Sequence, residues 1–479
     1  MMYRDFKALG LLTLLAFLSQ WVYAFSTSFL YDTVLNFDQG IFETIGKCWA
    51  EGGLPYVDAW DSKGPIIFFF NMLGYLLGGR TGVFWIEVVN MSLCLYALYF
   101  FMVRRSNVKY ALVTCVLTLC AYCTISSGGN QVSDYSLLLA FASSFAFYDW
   151  ANRLQEKRVA AHPWGYGVIY GLYFGCSLMS RLTNAAALCL MIMIVFFVLL
   201  RKKAWRNLLA NIVGFLLGVA VVVLPFWIYF AAKGAADDMW YATLFYNIEY
   251  AIASDIEQTV SSPSKIVYFV LYFAPIFSLV IVAIANILWS RGRKQINLFW
   301  LIISLGVLAW LYKSYANANY GIGFVPFVAV AALELRHLVE EARWIRGIGW
   351  GLVGLVLVAF INQTRVFPSH IRNEKATYHT ILKGIEPSFK QSFVAYNYEP
   401  DIYLSLDITP AYRFFVCQDW AIENGASLLP LVRKTYNEGN ANWILVQNYE
   451  TCKIKDILLK RYRVYRTDEA NHLVLFKRK

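Results

Sequence analysis

The sequence predicts an all-α polytopic membrane domain of about eleven spanning helices, residues 1–365, followed by a small soluble α/β domain, residues 366–479. Three observations predict it. The chain is 59% apolar and only 15% charged, where soluble domains carry roughly 25% charged residues. Apolar blocks run from Leu9 to about Thr364 and then give way to an ordinary polar sequence. Lys and Arg concentrate in the short turns between alternate blocks, where orientation signals sit in membrane proteins.

The predicted spans are 8–30, 81–103, 110–126, 135–150, 165–180, 184–200, 207–231, 264–290, 297–312, 322–335 and 347–364. The first follows a short charged head but ends in bulky aromatics without a small-x-small cleavage site, so it reads as an uncleaved span. Counted alternately from a cytoplasmic N-terminus, the inside segments hold 18 Lys and Arg and the outside loops hold 7. This places the N-terminus of a multi-pass plasma-membrane protein in the cytoplasm and the C-terminal region outside. The net charge of +11 is thereby spent on topology. No basic face is interleaved with stacking aromatics, so no nucleic-acid partner is expected, and membrane lipids are. The nine cysteines show no metal-ligand spacing. Cys417 and Cys452 are the tail's only two; they would face an oxidising compartment, and spacing alone does not pair them.

The outside loop from Tyr31 to Arg80 carries Asp32, Asp38, Glu43, Glu51, Asp58 and Asp61. Phe37, Ile41, Ile45 and Cys48 recur there at helical spacing and Gly52-Gly53 ends the pattern, which predicts an amphipathic helix lying in the interface. The apolar piece from Pro65 to Gly78-Gly79 is too short for an ordinary span and predicts a second interfacial or re-entrant helix. A short Gly-rich loop, Ser126–Tyr135, contains Asp134, and a later loop, 232–263, is again acidic. The segment 312–320, YKSYANANY, is aromatic and amide-rich. In the tail, 393–396, 414–416, 443–446 and 473–476 read as strands and 454–462 as a helix.

Acidic residues beside Asp61-Ser62-Lys63-Gly64-Pro65 set carboxylates near an ammonium at the mouth of an apolar helix. A carboxylate can deprotonate a hydroxyl, and a Lys or Arg can hold a phosphate and stabilise charge developing on it. Such residues suit transfer of a group from a lipid phosphate to an alcohol. Taken alone, Asp38 reads as a favourable charge at a helix N-terminus rather than as a catalytic group, Lys63 as a side chain reaching the headgroups, and Asp58 and Asp61 equally as solvation of a turn or as functional groups. Arg181 is an ionisable residue between two apolar runs on the outside, which marks it for function or for headgroup contact.

The stretch FDQGIFETIGKCWAEGGLPYVDAWDSKGPIIFFFNMLGYLLGGR resembles the first periplasmic loop of GT-C glycosyltransferases of family 39 type, the group of the protein O-mannosyltransferases and the lipid A aminoarabinose transferases. The resemblance covers residues 30–105 and continues weakly through SRLTN, KGAADDMWYATLFYNIEY and NYGIGFVPF. It implies a helical membrane domain with two interfacial helices in the first loop and an outside C-terminal domain. It also implies an inverting transfer from a polyprenyl-phosphate-linked sugar donor to a glycan, lipid or protein acceptor. Asp38 takes the position of the catalytic acid and Lys63 that of the Lys in the K-G-P motif. Asp134 aligns loosely with a second acidic position, and Asn319, ahead of Tyr320 and Pro326, stands where relatives have His. Asp38 is thus the expected catalytic residue, with Lys63, Arg181, Asp134, Asp61 and Tyr320 binding substrate. Carboxylates are available for a divalent metal, but no ligand spacing demands one and no other cofactor is expected. Two other classes share parts of this pattern: a transporter or flippase of lipid-linked sugars, and a polymerase of them. The first would place ionisable groups mid-span and show repeated halves, neither of which the sequence displays. The second would lack the acidic loop with its K-G-P end.

Overall fold

The computed structural model describes residues 2–31, 37–253, 263–290, 292–313, 317–341, 346–371, 378–385, 387–425 and 427–479. Asp32 of the loop from Tyr31 to Arg80, Asp255 and Glu257 of the acidic loop 232–263, Tyr315 of the segment 312–320, and Arg291 and Arg343 among the 18 inside cations lie outside the described residues. The helices through the apolar part are α1 (Met2–Tyr23), α2 (Phe37–Ala50), α3 (Pro65–Gly78), α4 (Arg80–Val103), α5 (Val108–Ile125), α6 (Leu137–Lys157), α7 (Trp164–Leu178), α8 (Ala186–Arg201), α9 (Trp205–Ala232), α10 (Ala236–Trp240), α11 (Tyr246–Ala253), α12 (Pro263–Tyr272), α13 (Ala274–Trp289), α14 (Lys294–Lys313), α15 (Phe327–Glu341) and α16 (Arg346–Ile371). The tail adds α17 (Tyr378–Leu382), β1 (Phe393–Tyr396), α18 (Asp401–Ser405), α19 (Gln418–Asn424), α20 (Leu428–Glu438), β2 (Trp443–Gln447), α21 (Lys455–Arg461), β3 (Tyr462–Asp468) and β4 (Leu473–Arg478).

Helix stands at every predicted span, but the number long and apolar enough to cross a membrane is smaller than eleven. Among the described residues seven helices qualify, or nine if the bent pairs α12/α13 and Ala318–Phe324/α15 each make one span. The shortfall lies in α6 and α7. The second half of α6 carries Asp149, Arg153, Glu156 and Lys157. α7 has 15 residues, about 22 Å of helix at 1.5 Å per residue, against a hydrocarbon core of about 30 Å.

The chain forms two compact units, each discontinuous in sequence. The first gathers Met1–Ala24, Ile86–Phe226 and Ile256–Phe367; the second gathers Phe25–Trp85, Trp227–Asp255 and Pro368–Lys479. In the first unit the core runs through α1, α4–α8 and α13–α15, with Trp150, Trp300 and Tyr99 fully buried. Its helices are locked by a buried ion pair. Arg293 donates from Nε to Glu334 at 2.8 Å, and Tyr148 and Asn297 donate to the same carboxylate at 2.9 and 2.7 Å. Glu87 and Glu334 are buried ionisable residues inside predicted spans, contrary to the expectation that the spans hold none.

The second unit holds the two loop helices. Pro65 at the first position of α3 supplies a preset φ, and Gly64 precedes it in extended conformation. α2 and α3 cross closely at Gly46, where a Cβ would stand 2.4 Å from that of Asn71, so only glycine fits. α2 was expected to be amphipathic, with one polar face to solvent. Instead residues Gln39 to Trp49 are all buried. The tail covers what the sequence pattern left polar: Pro400 lies against Gly40, and Lys47 pairs with Asp407 at 2.5 Å.

The tail's sheet has the order β1-β2-β4-β3, with β1 and β2 parallel and the other pairs antiparallel. Three of the four expected strands form. Phe414–Val416 does not, because side chains take the carbonyls a ladder would pair: Gln418 and Tyr436 donate to Phe414 O at 2.8 and 2.9 Å, and Tyr403 donates to Phe415 O at 3.0 Å. The fourth strand is β3, which takes up the end of the stretch expected as helix and continues to Asp468.

Candidate active site

The expected site residues fall into two groups of three, one in each unit. In the second unit the Trp60–Lys63 turn carries Asp61 and Lys63. Tyr56 holds it from one side, donating its hydroxyl to Lys63 O at 2.9 Å, and Asn247 from the other, donating to Ser62 O at 2.7 Å. Tyr56 is fully buried with φ at 72°, a left-handed conformation that bulky side chains rarely adopt and that fixed packing must maintain. Trp60 donates its backbone N–H to Arg413 O at 2.8 Å, and its ring packs edge-on against Tyr246 at 5.1 Å.

Asp61 accepts from the Lys63 backbone N–H at 3.2 Å, which closes the turn. Burial pushes its carboxyl above the usual range; the Lys63 ammonium opposes this and the Asp38 carboxylate adds to it. Asp38 and Lys63 therefore both lie within electrostatic reach of Asp61. Asp38 is exposed on the first turn of α2, and among the described residues its carboxylate has no hydrogen-bond or ion-pair partner. The Lys63 ammonium lies 3.2 Å from the Ser62 hydroxyl. Cys417 also belongs to this neighbourhood: burial, with the Asp61 and Asp38 carboxylates adding to it, raises its thiol to about 12. Asp58 has a structural task, since its carboxylate accepts from Leu54 N–H at 2.7 Å. Glu43, one turn beyond Asp38, is fully buried. Burial raises it to about 8 against the pull of Arg80 and of the Tyr75 hydroxyl.

In the first unit Asp134, Arg181 and Tyr320 come together. Asp134 is 3% exposed; one oxygen accepts from Gln131 N–H at 2.8 Å and the other from the Tyr122 hydroxyl at 3.1 Å. It therefore closes the Gly-rich loop. Burial raises its carboxyl to about 7, opposed by those two donors and by Arg181. Arg181 donates to Ser133 Oγ at 2.8 Å and to Asn184 Oδ1 at 3.3 Å, and its guanidinium stacks 4.0 Å from the centre of the Tyr320 ring. Asn319 donates to Gln131 Oε1 at 2.8 Å and so belongs to the same network.

Sequence reasoning did not single out Tyr56 or Asn247, and it weighed Cys417 only as a partner for Cys452. The first two lie in stretches that resemble the family; their contribution is a hydrogen bond to a backbone carbonyl, for which no residue pattern exists. Among the described residues no three His, Cys, Asp or Glu side chains gather to hold a metal ion. All nine cysteines, Cys417 and Cys452 included, are free.

No protein-family model matches the sequence, and no curated protein matches it. Solved structures do. ArnT from Cupriavidus metallidurans in the apo state is similar with a TM-score of 0.60 at 13% identity, over 98% of each chain. The same protein bound to undecaprenyl phosphate is similar with a TM-score of 0.59 at 12% identity, over 97% of each chain. The oligosaccharyltransferase of Archaeoglobus fulgidus in the apo form gives 0.50 at 13% identity, over 91% of this chain and 69% of its own. Likeness at such low identity is likeness of fold, and it extends over nearly the whole chain: this protein has the GT-C fold that ArnT and the archaeal oligosaccharyltransferase share.

Proposed function

We propose that the protein is an inverting glycosyltransferase that moves a sugar from polyprenyl phosphate to an acceptor hydroxyl at the outer face of the membrane. The observation that carries this reading is the grouping of Asp38, Asp61 and Lys63, all from one loop motif, around a turn held by Tyr56 and Asn247. The fold likeness to ArnT, one structure of which is bound to undecaprenyl phosphate, supports the lipid donor.

In this mechanism the Asp38 carboxylate accepts the acceptor's hydroxyl proton. The oxygen bonds to the anomeric carbon on the face opposite the phosphate. The bond from that carbon to the phosphate oxygen breaks, and its electron pair leaves with the phosphate, whose charge the Lys63 ammonium stabilises. Asp61 fixes the turn that presents Lys63. Arg181, stacked on Tyr320, is proposed as a phosphate-binding cation of its own unit, and Arg181→Ala should weaken donor binding; unchanged donor binding would remove it from the site.

Release of sugar from a lipid-linked donor by the purified protein tests the reaction. Asp38→Asn keeps size and removes the base, so turnover should fall roughly 10²- to 10⁴-fold with donor binding little changed. Lys63→Ala should weaken both donor binding and rate. Near-normal turnover of Asp38→Asn, with only a loss of about 1 kcal/mol of stability, would leave Asp38 a helix-start residue and end the catalytic assignment.

A further inference from the structure

The first unit contains a second feature that glycosyl transfer does not use. A cavity of about 620 Å³ opens between α5, α15 and α16 at the end of the bundle that carries basic turns. Its walls are apolar. Tyr110, Val113 and Leu117 recur along α5 at helical spacing and face Ala331 and Leu335 of α15 and Val353 of α16. Its inner end reaches the small cluster of Ala121, Ala274, Val328 and Val356. α16 packs so little of itself against the bundle that only 11% of its spanning window is buried. The space beside it is therefore an apolar slot at membrane depth, which lipid fills and water does not.

The mouth differs from the walls. Lys109, Arg336 and Arg346 line it against a single carboxylate, Glu340. Arg336 is engaged, donating to Glu340 at 3.0 Å and to Arg105 O at 2.7 Å. Lys109 and Arg346 are exposed and have no hydrogen-bond or ion-pair partner among the described residues. Trp350 stands on the rim, 76% exposed, as aromatic side chains do at headgroup level. An apolar slot ending in unneutralised cations complements one kind of occupant: an acyl chain with an anionic head.

We infer that this groove is a binding site for an anionic phospholipid, with one acyl chain between α5 and α16 and the head-group phosphate on Lys109 and Arg346. The site is independent of the reaction, and turnover is not its readout.

The test is native mass spectrometry of the delipidated full-length protein, titrated with phosphatidylglycerol, with phosphatidylcholine of the same chains, and with glycerol phosphate. Phosphatidylglycerol should be retained roughly 10- to 30-fold better than phosphatidylcholine, the worth of two cations at about 1 kcal/mol each. Glycerol phosphate, which lacks the chain, should not be retained. Lys109→Gln with Arg346→Gln, both at exposed positions, should abolish the preference. Val113→Trp, at a residue 55% exposed, should block the slot and lower retention of both lipids. Equal retention of the two lipids by the native protein, an undiminished preference in the double variant, or retention of glycerol phosphate alone would each overturn the inference. If Val113→Trp does not fold, the charge variant still decides.

Discussion

Asp134 shows how burial turns a loop carboxyl into a pH-dependent part of the fold. Its ordinary value is 3.8 and burial raises it to about 7, so the folded chain keeps a proton that the unfolded chain has already lost. The contribution is fully present below about pH 4 and disappears as pH rises through about 7. Asp134→Asn should therefore flatten the fall in thermal midpoint across that window. Glu43, raised to about 8, acts in the same direction, so the native slope should diminish rather than vanish. Equal slopes for native protein and variant would refute the argument. At the same scale, Asn247→Ala should slow turnover by up to about 10²-fold, since it frees the backbone of the Lys63 turn. The thermal midpoint should move little, because one hydrogen bond contributes only about 1 kcal/mol. Of the six residues marked in the sequence, Asp38, Asp61 and Lys63 are candidates because one motif carries them. Tyr56 and Asn247 were not legible, since any residue with a donor could in principle reach a carbonyl and only the fold says which does.

Among the elements, the α6, α14 and α15 junction depends on Glu334, whose carboxylate meets Arg293, Tyr148 and Asn297. Removing it strands a guanidinium that is itself buried. Glu334→Ala should cost about 3–5 kcal/mol, read as a large drop in thermal midpoint in detergent. Replacing Arg293 by Met and Glu334 by Leu together should recover most of it, because the uncompensated charge is then gone. A double variant as unstable as the single one would show that the pair is not what holds these helices. The sequence hid this lock: Arg293 sits in a basic turn and was counted with the orientation charges, and Glu334 lies near the end of an apolar run. Helix positions were easier to read, because apolar runs bounded by charge mark them directly. α2 was read correctly as a helix and incorrectly as half-solvated, since the pattern of Phe37, Ile41, Ile45 and Cys48 reports one buried face and cannot report that Pro400 and Asp407 cover the other.

For the whole molecule, the charge distribution makes a topological prediction. A reporter active only in the cytoplasm, fused after Lys479, should be silent, and one active only outside should be bright. The opposite pattern would reverse the assigned orientation and move Asp38 and Lys63 to the wrong side for an outward-facing transferase. The polarity of the chain divides it near residue 366, whereas its compact units assemble distant stretches: Phe25–Trp85 and Trp227–Asp255 belong with the tail. Composition changes along a chain are visible in sequence; the return of Arg413 to Trp60 and Asp238 is not.

The tail's sheet ends on β3, where strand pairing stops. A bare strand edge is a template on which a second chain can add itself. Here the outer strand carries Arg463 and Arg466 and is bulged between Val464 and Arg466, so a flat partner meets charge and a broken register. The sheet is thereby protected from stacking into polymers, and replacing both arginines with threonine should turn a well-behaved protein into one that self-associates edge to edge.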